Sequence, residues 1–489
     1  MKNIAMGARS QMVFLMVAVA RSLKEKYGST IHLYCSTIEE EKYYRTKFRD
    51  VFASIVIVDS AQARAFDTDL DEEKVFESAR RHESFIGETI NRLIVPDRHF
   101  GRGYALGGYY HPRSVTSEET TYLQAVNAHC KELDFWEREF KEKSITLALN
   151  CPVIAYFVGK AMGIPYRALA GSRYKNLHYW AWNPMYENPL FAKTYESKSG
   201  SDDLQLLEPY HSHLSARKTY KNKFTFRTLV QRSAYLIAQR AYWKYRGYEK
   251  GKVGYYLSQS LQLLYRMWRE YARLMRMPLV KLEDLKGKKF AYFPMHIEPE
   301  TALHGISPEY FYQHSLIAAV SRDLPADTIL AVKEPYGMIG RRPDHFYRQI
   351  LDLKNVVMFD PWEIGIKCAQ TADVVVTICG TAGLEAVAAG KPVISFGHHN
   401  MYNSLPSVRV VSDESKLKGY LADALSGKTP ASEIRAEASR LLSAIVDCSF
   451  DLGEYDYIDL ENFNQEYVQL AVDALGESAT AHKEMDLSA

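Results

Sequence analysis

Apolar positions in the first sixty residues change period in a regular way. Ile4–Ala8 is a short apolar run, Gln11–Tyr27 repeats apolar residues at helical spacing, and Thr30–Cys35 alternates. A charged helical stretch, Ile38–Phe48, then leads to a third strand, Ala53–Val58. Strand–helix–strand alternation of this kind predicts a parallel, doubly wound sheet. The pattern fades over 60–117, which reads as a loop-rich insertion. It resumes with a helix from about Glu118 to Lys141, a strand at Ile145–Leu149, a helix at Pro152–Met162 and a strand at Tyr166–Ala170.

A second α/β run begins at Lys289. Strands at Phe290–Phe293, Thr328–Val332, Val356–Phe359, Val374–Ile378 and Pro392–Phe396 alternate with helices at Pro308–Val320, Phe346–Leu351, Trp362–Ala369 and Gly383–Ala389. Asn462–Ala474 is a late amphipathic helix, and the polar tail after it reads as disordered. The expected domains are 1–204, a helical segment 205–287, 288–455, a C-terminal helix 456–475 able to pack back on the first domain, and a tail 476–489. Two Rossmann-like domains facing a cleft, with a helical insertion between them, is the GT-B arrangement.

The inserted segment changes the reading of the charge. The chain has 61 Lys and Arg against 59 Asp and Glu, a net charge of +2. Fifteen basic residues nevertheless fall between Arg217 and Arg276, opposed only by Glu249 and Glu270, so the remainder is acidic. Tyr and Trp interleave with these bases. A solvated helical linker is one account; a platform for anionic membrane lipid or an anionic acceptor is another. No nucleic-acid motif accompanies the charge, so the partner carried forward for 217–276 is an anionic membrane surface.

The length of 489 residues exceeds what one core usually holds. The 34 tyrosines suit sugar-binding surfaces or a tyrosine-rich core equally. Six scattered cysteines form no CxxC pair, which argues against a zinc site or a disulfide framework. Met12–Ala20 is apolar but is broken by Arg21, Lys24 and Lys26, and so reads as a core helix rather than a signal peptide. No apolar run reaches the roughly 18 residues of a membrane span. A cytoplasmic protein is expected, with peripheral contact to the inner membrane.

Chemistry concentrates after three strands of the second run. Val374–Val393 carries an apolar strand ending in Thr377, a small-residue turn (Gly380-Thr381-Ala382-Gly383) and a helix start, an arrangement that holds phosphate on free backbone N–H groups. Gly380 and Gly383 are read as letting the backbone approach the ligand, and Glu385 as accepting from a ribose or sugar hydroxyl. The turn lacks the Gly-Lys-Ser/Thr ending of a Walker loop. After the Phe290 strand, a Pro-bounded loop carries His296, Glu298 and Glu300, candidates for acid–base work. Lys333 and Glu334 follow the next strand, suited to a phosphate and a sugar hydroxyl. In the first domain Asn150, Ser172, Arg173 and Asn176 follow strands and are candidates for the acceptor side. Asp97, Arg98, His99 and Arg102, among glycines, read as an acceptor loop or a plain surface loop. No DxD pair stands where a metal-dependent transferase needs one, so neither metal nor cofactor is expected.

The order Tyr292-Phe-Pro-Met-His-Ile-Glu-Pro-Glu300, Lys333-Glu-Pro335, Thr377-Ile-Cys-Gly-Thr-Ala-Gly-Leu-Glu-Ala386 and Gly390-Lys-Pro-Val-Ile-Ser-Phe-Gly397 resembles bacterial capsule polysaccharide biosynthesis proteins. That group includes the capsule-type Kdo transferases. The resemblance covers about residues 288–400 well and the first half in outline. It implies a metal-independent GT-B glycosyltransferase, with a nucleotide-sugar donor on the C-terminal half and a glycan or glycolipid acceptor on the N-terminal half. The family often has Lys-x-His-Pro where this chain reads Lys333-Glu334-Pro335, so the donor is left unnamed. A nucleotide-sugar epimerase of the same fold and a non-catalytic membrane-docking scaffold are the alternatives.

Overall fold

The computed structural model describes residues 1–200, 220–248, 254–300, 302–453, 455 and 460–486, without the side chains of 302 and 483–486. The expectations for 205–219, 249–253, 456–459 and the last three residues of the tail lie outside the described residues.

The chain divides into two compact units. The first comprises Met1–Ile94, Thr120–Lys198 and Leu442–Ala489; the second comprises Val95–Glu119 and Ser199–Leu441. Strands β1 (Asn3–Gly7), β2 (Thr30–Cys35), β3 (Ser54–Ile57), β4 (Leu147–Leu149), β5 (Tyr166–Gly171) and β6 (Leu177–Ala181) belong to the first unit. Strands β7 (Leu279–Val280), β8 (Phe290–Pro294), β9 (Ile329–Lys333), β10 (Val356–Phe359), β11 (Val374–Thr377), β12 (Val393–Ser395) and β13 (Val408–Val410) belong to the second. A last strand, β14 (Phe450–Asp451), returns to the first sheet.

The first sheet runs β3-β2-β1-β4-β5-β6-β14 and the second β7-β10-β9-β8-β11-β12-β13. Every pairing in the second sheet is parallel. In the first, β6 and β14 pair antiparallel. The two Rossmann-like sheets expected from the alternation are therefore present. In each, strand order reverses at one point: between β1 and β4 in the first sheet, and between β8 and β11 in the second. Crossover helices leave to opposite faces at such a point and open a crevice at the carboxyl ends of the strands.

Local chemistry sets the helix ends around these strands. The helix Val13–Tyr27 stops at Gly28, which is left-handed at φ 62° and donates its N–H to the Lys24 carbonyl, while the Ser29 N–H donates to Leu23 O. The helix Tyr122–Glu142 starts on a Thr121–Gln124 capping box. Strand β11 is apolar and wholly buried, as a parallel strand covered on both faces must be.

Three expectations are corrected. Residues 60–117 are not loop-rich throughout: helices cover Ala61–Arg64, Glu72–Ile86, Ile90–Ile94 and Val115–Glu119. Residues 95–119 also join the second unit, because Tyr104 and Tyr109 are buried in its core and the Tyr110 N–H donates to the Arg341 carbonyl at 2.6 Å. The tail from Gly476 is helical to Asp486, part of the helix Gln465–Asp486. Buried Arg167 explains this, since its Nε and Nη2 donate to Ser478 Oγ and Ser478 O at 2.9 and 2.7 Å. That helix packs on Val13–Tyr27 through Val468, Ala471, Val472 and Leu475, in one core with Leu15 and Leu23.

The basic segment forms two helices, Phe226–Arg246 and Leu257–Leu274, packed on each other. They are part of the second unit rather than a linker. Phe224 stacks on Tyr271 at 4.6 Å between ring centroids, Tyr336 stacks on Trp362 at 4.8 Å, and Trp362 Nε1 donates to the Tyr271 hydroxyl.

Candidate functional site

The reversal between β8 and β11 brings together the two strongest sequence signals. His296 stands just past β8, and the Gly380–Gly383 turn follows β11. His296 Nε2 is bracketed by the Cys379 carbonyl and the Cys379 N–H, so the imidazole pins the first residues of the turn. Its own backbone is held by Gln313, which accepts from His296 N at 2.6 Å and donates to His296 O at 3.0 Å. Burial pushes the imidazole pKa down to about 4, and the Arg342 charge adds to this, so the ring is neutral at pH 7. Nδ1 is buried without a partner.

The turn is open. Gly380 is exposed and extended at φ 168°, and no side chain caps the helix Thr381–Ala388 that it begins. The first N–H groups of that helix therefore have no partner within the helix and face outward at its positive end. Thr381 and Ala382 are half-buried. Glu385 lies one turn in, near the Thr381 hydroxyl, and burial raises its pKa to about 7. Thr377 is fully buried, with its hydroxyl unpartnered.

Gly383 serves a different purpose from the one read in the sequence. A Cβ there would come within 2.3 Å of the buried Tyr402 ring, and Tyr402 donates its hydroxyl to Gly380 O at 2.9 Å. This glycine admits a tyrosine that braces the turn, rather than a ligand. Asn400 adds a second brace, donating to Ile378 O at 2.8 Å.

Glu298 and Glu334 are fully buried and do not reach solvent. Both meet Arg342. Its Nε and Nη2 donate to the two oxygens of Glu334, each at 2.8 Å, and Nη1 donates to Glu298 Oε2 at 3.1 Å. Nη2 also donates to His296 O at 3.0 Å, so the ion cluster positions the imidazole. The guanidinium lies over the Phe346 and Tyr109 rings at 4.9 and 5.4 Å. Lys333 is buried too; its Nζ donates to Pro361 O at 3.2 Å, and desolvation lowers its pKa. Of the three residues read as acid–base candidates, Glu300 is the exposed carboxylate.

Burial raises the Glu298 carboxyl to about 7 against an ordinary 4.5, outweighing the Arg342 charge. Folding therefore favours its protonated form. That contribution is complete below pH 4.5 and is lost as pH rises through 7. Glu298→Gln, which is neutral at every pH, should remove it. Wild-type stability minus that of Glu298→Gln should fall by about 3 kcal/mol between pH 4.5 and 7.5, as an order of magnitude. Urea titrations across that range check it, and parallel pH curves for the two proteins would refute it.

In the first unit, Asn150 sits at the β1–β4 reversal. Its Oδ1 accepts from Leu169 N at 2.9 Å, and it is almost wholly buried. Ser172, Arg173 and Asn176 form the β5–β6 hairpin loop. Ser172 is buried within that turn, Asn176 donates to Gly453 and Tyr455 carbonyls at 2.6 and 2.8 Å, and Arg173 is exposed. Among the described residues, His82, Asp134 and Glu137 are grouped closely enough to hold a metal ion. The Arg81 guanidinium already lies between Asp134 and Glu137.

Residues 194–405 match the capsule polysaccharide biosynthesis protein family. The matched capsule-synthesis region reaches further toward the N-terminus than the motifs of residues 288–400. It takes in the helical pair as well as β8–β12, His296 and the Gly380 turn, and leaves out Asn150, Ser172, Arg173 and Asn176. No curated protein sequence matches the chain. Among solved structures, Thermosulfurimonas dismutans KpsC, a beta Kdo 2,7 transferase, is 13% identical, covering 70% of this chain and 89% of its own with a TM-score of 0.31. Anabaena Alr3699/HepE in complex with UDP is 10% identical over 98% of this chain and 100% of its own, TM-score 0.33. S. aureus MnaA with UDP is 10% identical over 90% and 92%, TM-score 0.28.

Arg342, Gln313, Tyr109 and Tyr402 escaped the sequence reading. Arg341-Arg342 in a Gly- and Pro-flanked loop looks like surface charge, and only the neighbouring Glu298 and Glu334 hint at a buried partner.

Proposed function

We propose that the chain is a metal-independent GT-B-type glycosyltransferase. It moves a sugar from a nucleotide donor to a surface or capsular glycan at the cytoplasmic face of the membrane. The reading is carried by one observation: an exposed, uncapped helix start at the strand-order reversal of a parallel sheet, inside the capsule-synthesis region. The donor's leaving phosphate lies on the N–H groups of Thr381 and Ala382, and Glu385 accepts from a ribose or sugar hydroxyl. The bond from anomeric carbon to phosphate oxygen breaks, the acceptor oxygen bonds to that carbon, and Glu300 takes the acceptor's proton. His296 and the Arg342 cluster position the turn; Lys333 adds buried positive charge at the end of β9. Arg173, Asn176, Ser172 and Asn150 remain the acceptor-side proposal.

A thermal-shift screen of UDP, CMP and GDP, followed by acceptor-dependent nucleotide release, tests this. One nucleotide class should stabilise the chain. Glu300→Gln should slow release by about 100-fold while leaving the shift intact. No shift with any nucleotide removes the donor reading and favours a scaffold. Sugar isomerisation without acceptor favours an epimerase, and wild-type turnover in Glu300→Gln moves the base elsewhere.

The helix Phe226–Arg246 supports membrane contact. It contains no acidic residue and has no buried one, and it exposes Phe226, Val230, Tyr235, Ile237, Tyr242 and Tyr245. None of the helices, among the described residues, is long and apolar enough to cross a membrane. Sedimentation with phosphatidylserine vesicles should occur at low salt and weaken as salt rises. Equal recovery with neutral vesicles would refute the electrostatic part.

A further inference from the structure

The second unit holds a cationic, imidazole-rich cluster that the nucleotide site does not use. Arg341 Nη1 lies 2.7 Å from His111 Nδ1, and His111 Nε2 lies 2.9 Å from the Tyr255 hydroxyl. Tyr104 packs against His304 at 4.9 Å between ring centroids, and the Arg102 guanidinium is beside the Tyr104 hydroxyl. Segment 95–119 supplies His111, Tyr104 and Arg102. The others come from the loop after β8, from the start of the second basic helix and from the residue before Arg342.

Two features set this cluster apart from an ordinary polar core. The first is its charge balance. Arg341 is half-buried, and among the described residues no carboxylate pairs with it; its side chain meets His111. Asp97, the nearby acid, spends Oδ1 on the N–H groups of His99 and Phe100. Glu118 pairs with Arg102 Nη1 at 3.2 Å and with Arg113 at 2.8 Å. Buried cations are normally paired, because desolvating an unpaired one is costly.

The second feature is three unsatisfied groups. The Tyr104 hydroxyl, Arg102 Nε and His304 Nε2 are all buried without a hydrogen-bond partner, and Tyr104 is fully enclosed. Buried polar atoms left unpaired in a native protein call for an explanation, and an absent ligand is one that also answers the charge. Burial and the arginines push His111 down to about 2 and His304 down to about 4, so both rings are neutral at pH 7.

We propose that this cluster is an oxyanion site that takes the phosphate or carboxylate group of a sugar or sugar phosphate. Arg341 and Arg102 supply the charge, the Tyr104 hydroxyl donates a hydrogen bond, and the His304 ring, whose Nε2 has no partner, takes up a proton as the anion enters, while His111 keeps its Nδ1 lone pair on Arg341. The site does not share a residue with the Gly380 turn, so it stands whether or not that turn binds a nucleotide.

Histidine-ring NMR on the full chain tests it, with inorganic phosphate and glucuronate as separate probes. His111→Gln and His304→Gln assign the ring signals. At least one probe should shift both signals saturably, and Arg341→Met should weaken that binding by about tenfold or more. Stronger phosphate binding identifies a phosphate ester as the natural group; stronger glucuronate binding identifies a sugar carboxylate. Tyr104→Phe separates ligand binding from packing. It should weaken the probe several-fold, yet raise the melting temperature in anion-free buffer, because an unpaired hydroxyl leaves the core. A purely structural Tyr104 predicts a lower melting temperature and unchanged affinity, and that overturns the proposal. So does probe binding that survives Arg341→Met, or that disappears in Gly380→Val, which would put the anion on the turn. Absence of saturable shifts with both probes overturns it as well.

Discussion

Arg342→Met is expected to lose about 3–5 kcal/mol of folding stability, the cost of leaving buried carboxylate charge without its cation. Glu334 receives two parallel 2.8 Å hydrogen bonds from this guanidinium, and its side chain is wholly buried. The loss should shrink as pH falls and Glu298 takes up its proton. Arg342→Lys keeps the charge but not the planar fork, so it should fall between wild type and Arg342→Met. Replacing the whole cluster with apolar residues (Arg342→Met, Glu298→Leu and Glu334→Leu) should recover much of the stability, since the desolvation penalty then disappears. Urea titrations of the four proteins check the order. An Arg342→Met protein within 1 kcal/mol of wild type, by the same standard, would mean the cluster is not the structural anchor described.

The second large effect contrasts two glycines three residues apart in one turn. Gly380→Val should fold normally. Its backbone is extended, a conformation any residue adopts, and a Cβ there meets only His296 Nε2, at 3.4 Å. The added side chain would stand over the open helix start, so nucleotide affinity should drop by about 100-fold, comparable to losing oxyanion donors in other enzymes. Gly383→Ala should behave in the opposite sense. Its methyl would strike the Tyr402 ring, costing about 1–3 kcal/mol of stability through overpacking, and should affect nucleotide affinity chiefly through the displaced brace. Melting temperatures and nucleotide titrations on both variants decide. If Gly380→Val binds nucleotide as tightly as wild type, the phosphate does not lie on this turn.

Much of this protein was legible in its pattern of apolar positions. Period switching between strands and helices gave one parallel and one mainly parallel sheet, because a strand covered on both faces must be apolar along its length and a crossover helix must show one apolar stripe. Val374–Gly383 declared a strand, a turn and a helix start on residue type alone. Exposed Gly380 and uncapped Thr381 lie where that reading put them.

Side-chain partners were a different matter, since they depend on which strands become neighbours. The β8–β11 adjacency puts His296 on Cys379, across 83 positions of sequence. Glu298 looked like a loop acid for acid–base work and Glu334 like one suited to a sugar hydroxyl, and both became buried ligands of an arginine that no local signal marks. Segment 95–119 read as an insertion in the first domain and joined the second, because two tyrosines found their burial there. Period and turn chemistry are local and can be read from the chain itself. Burial, charge pairing and the use made of a glycine are set by what arrives from elsewhere, and the tertiary structure alone decided those.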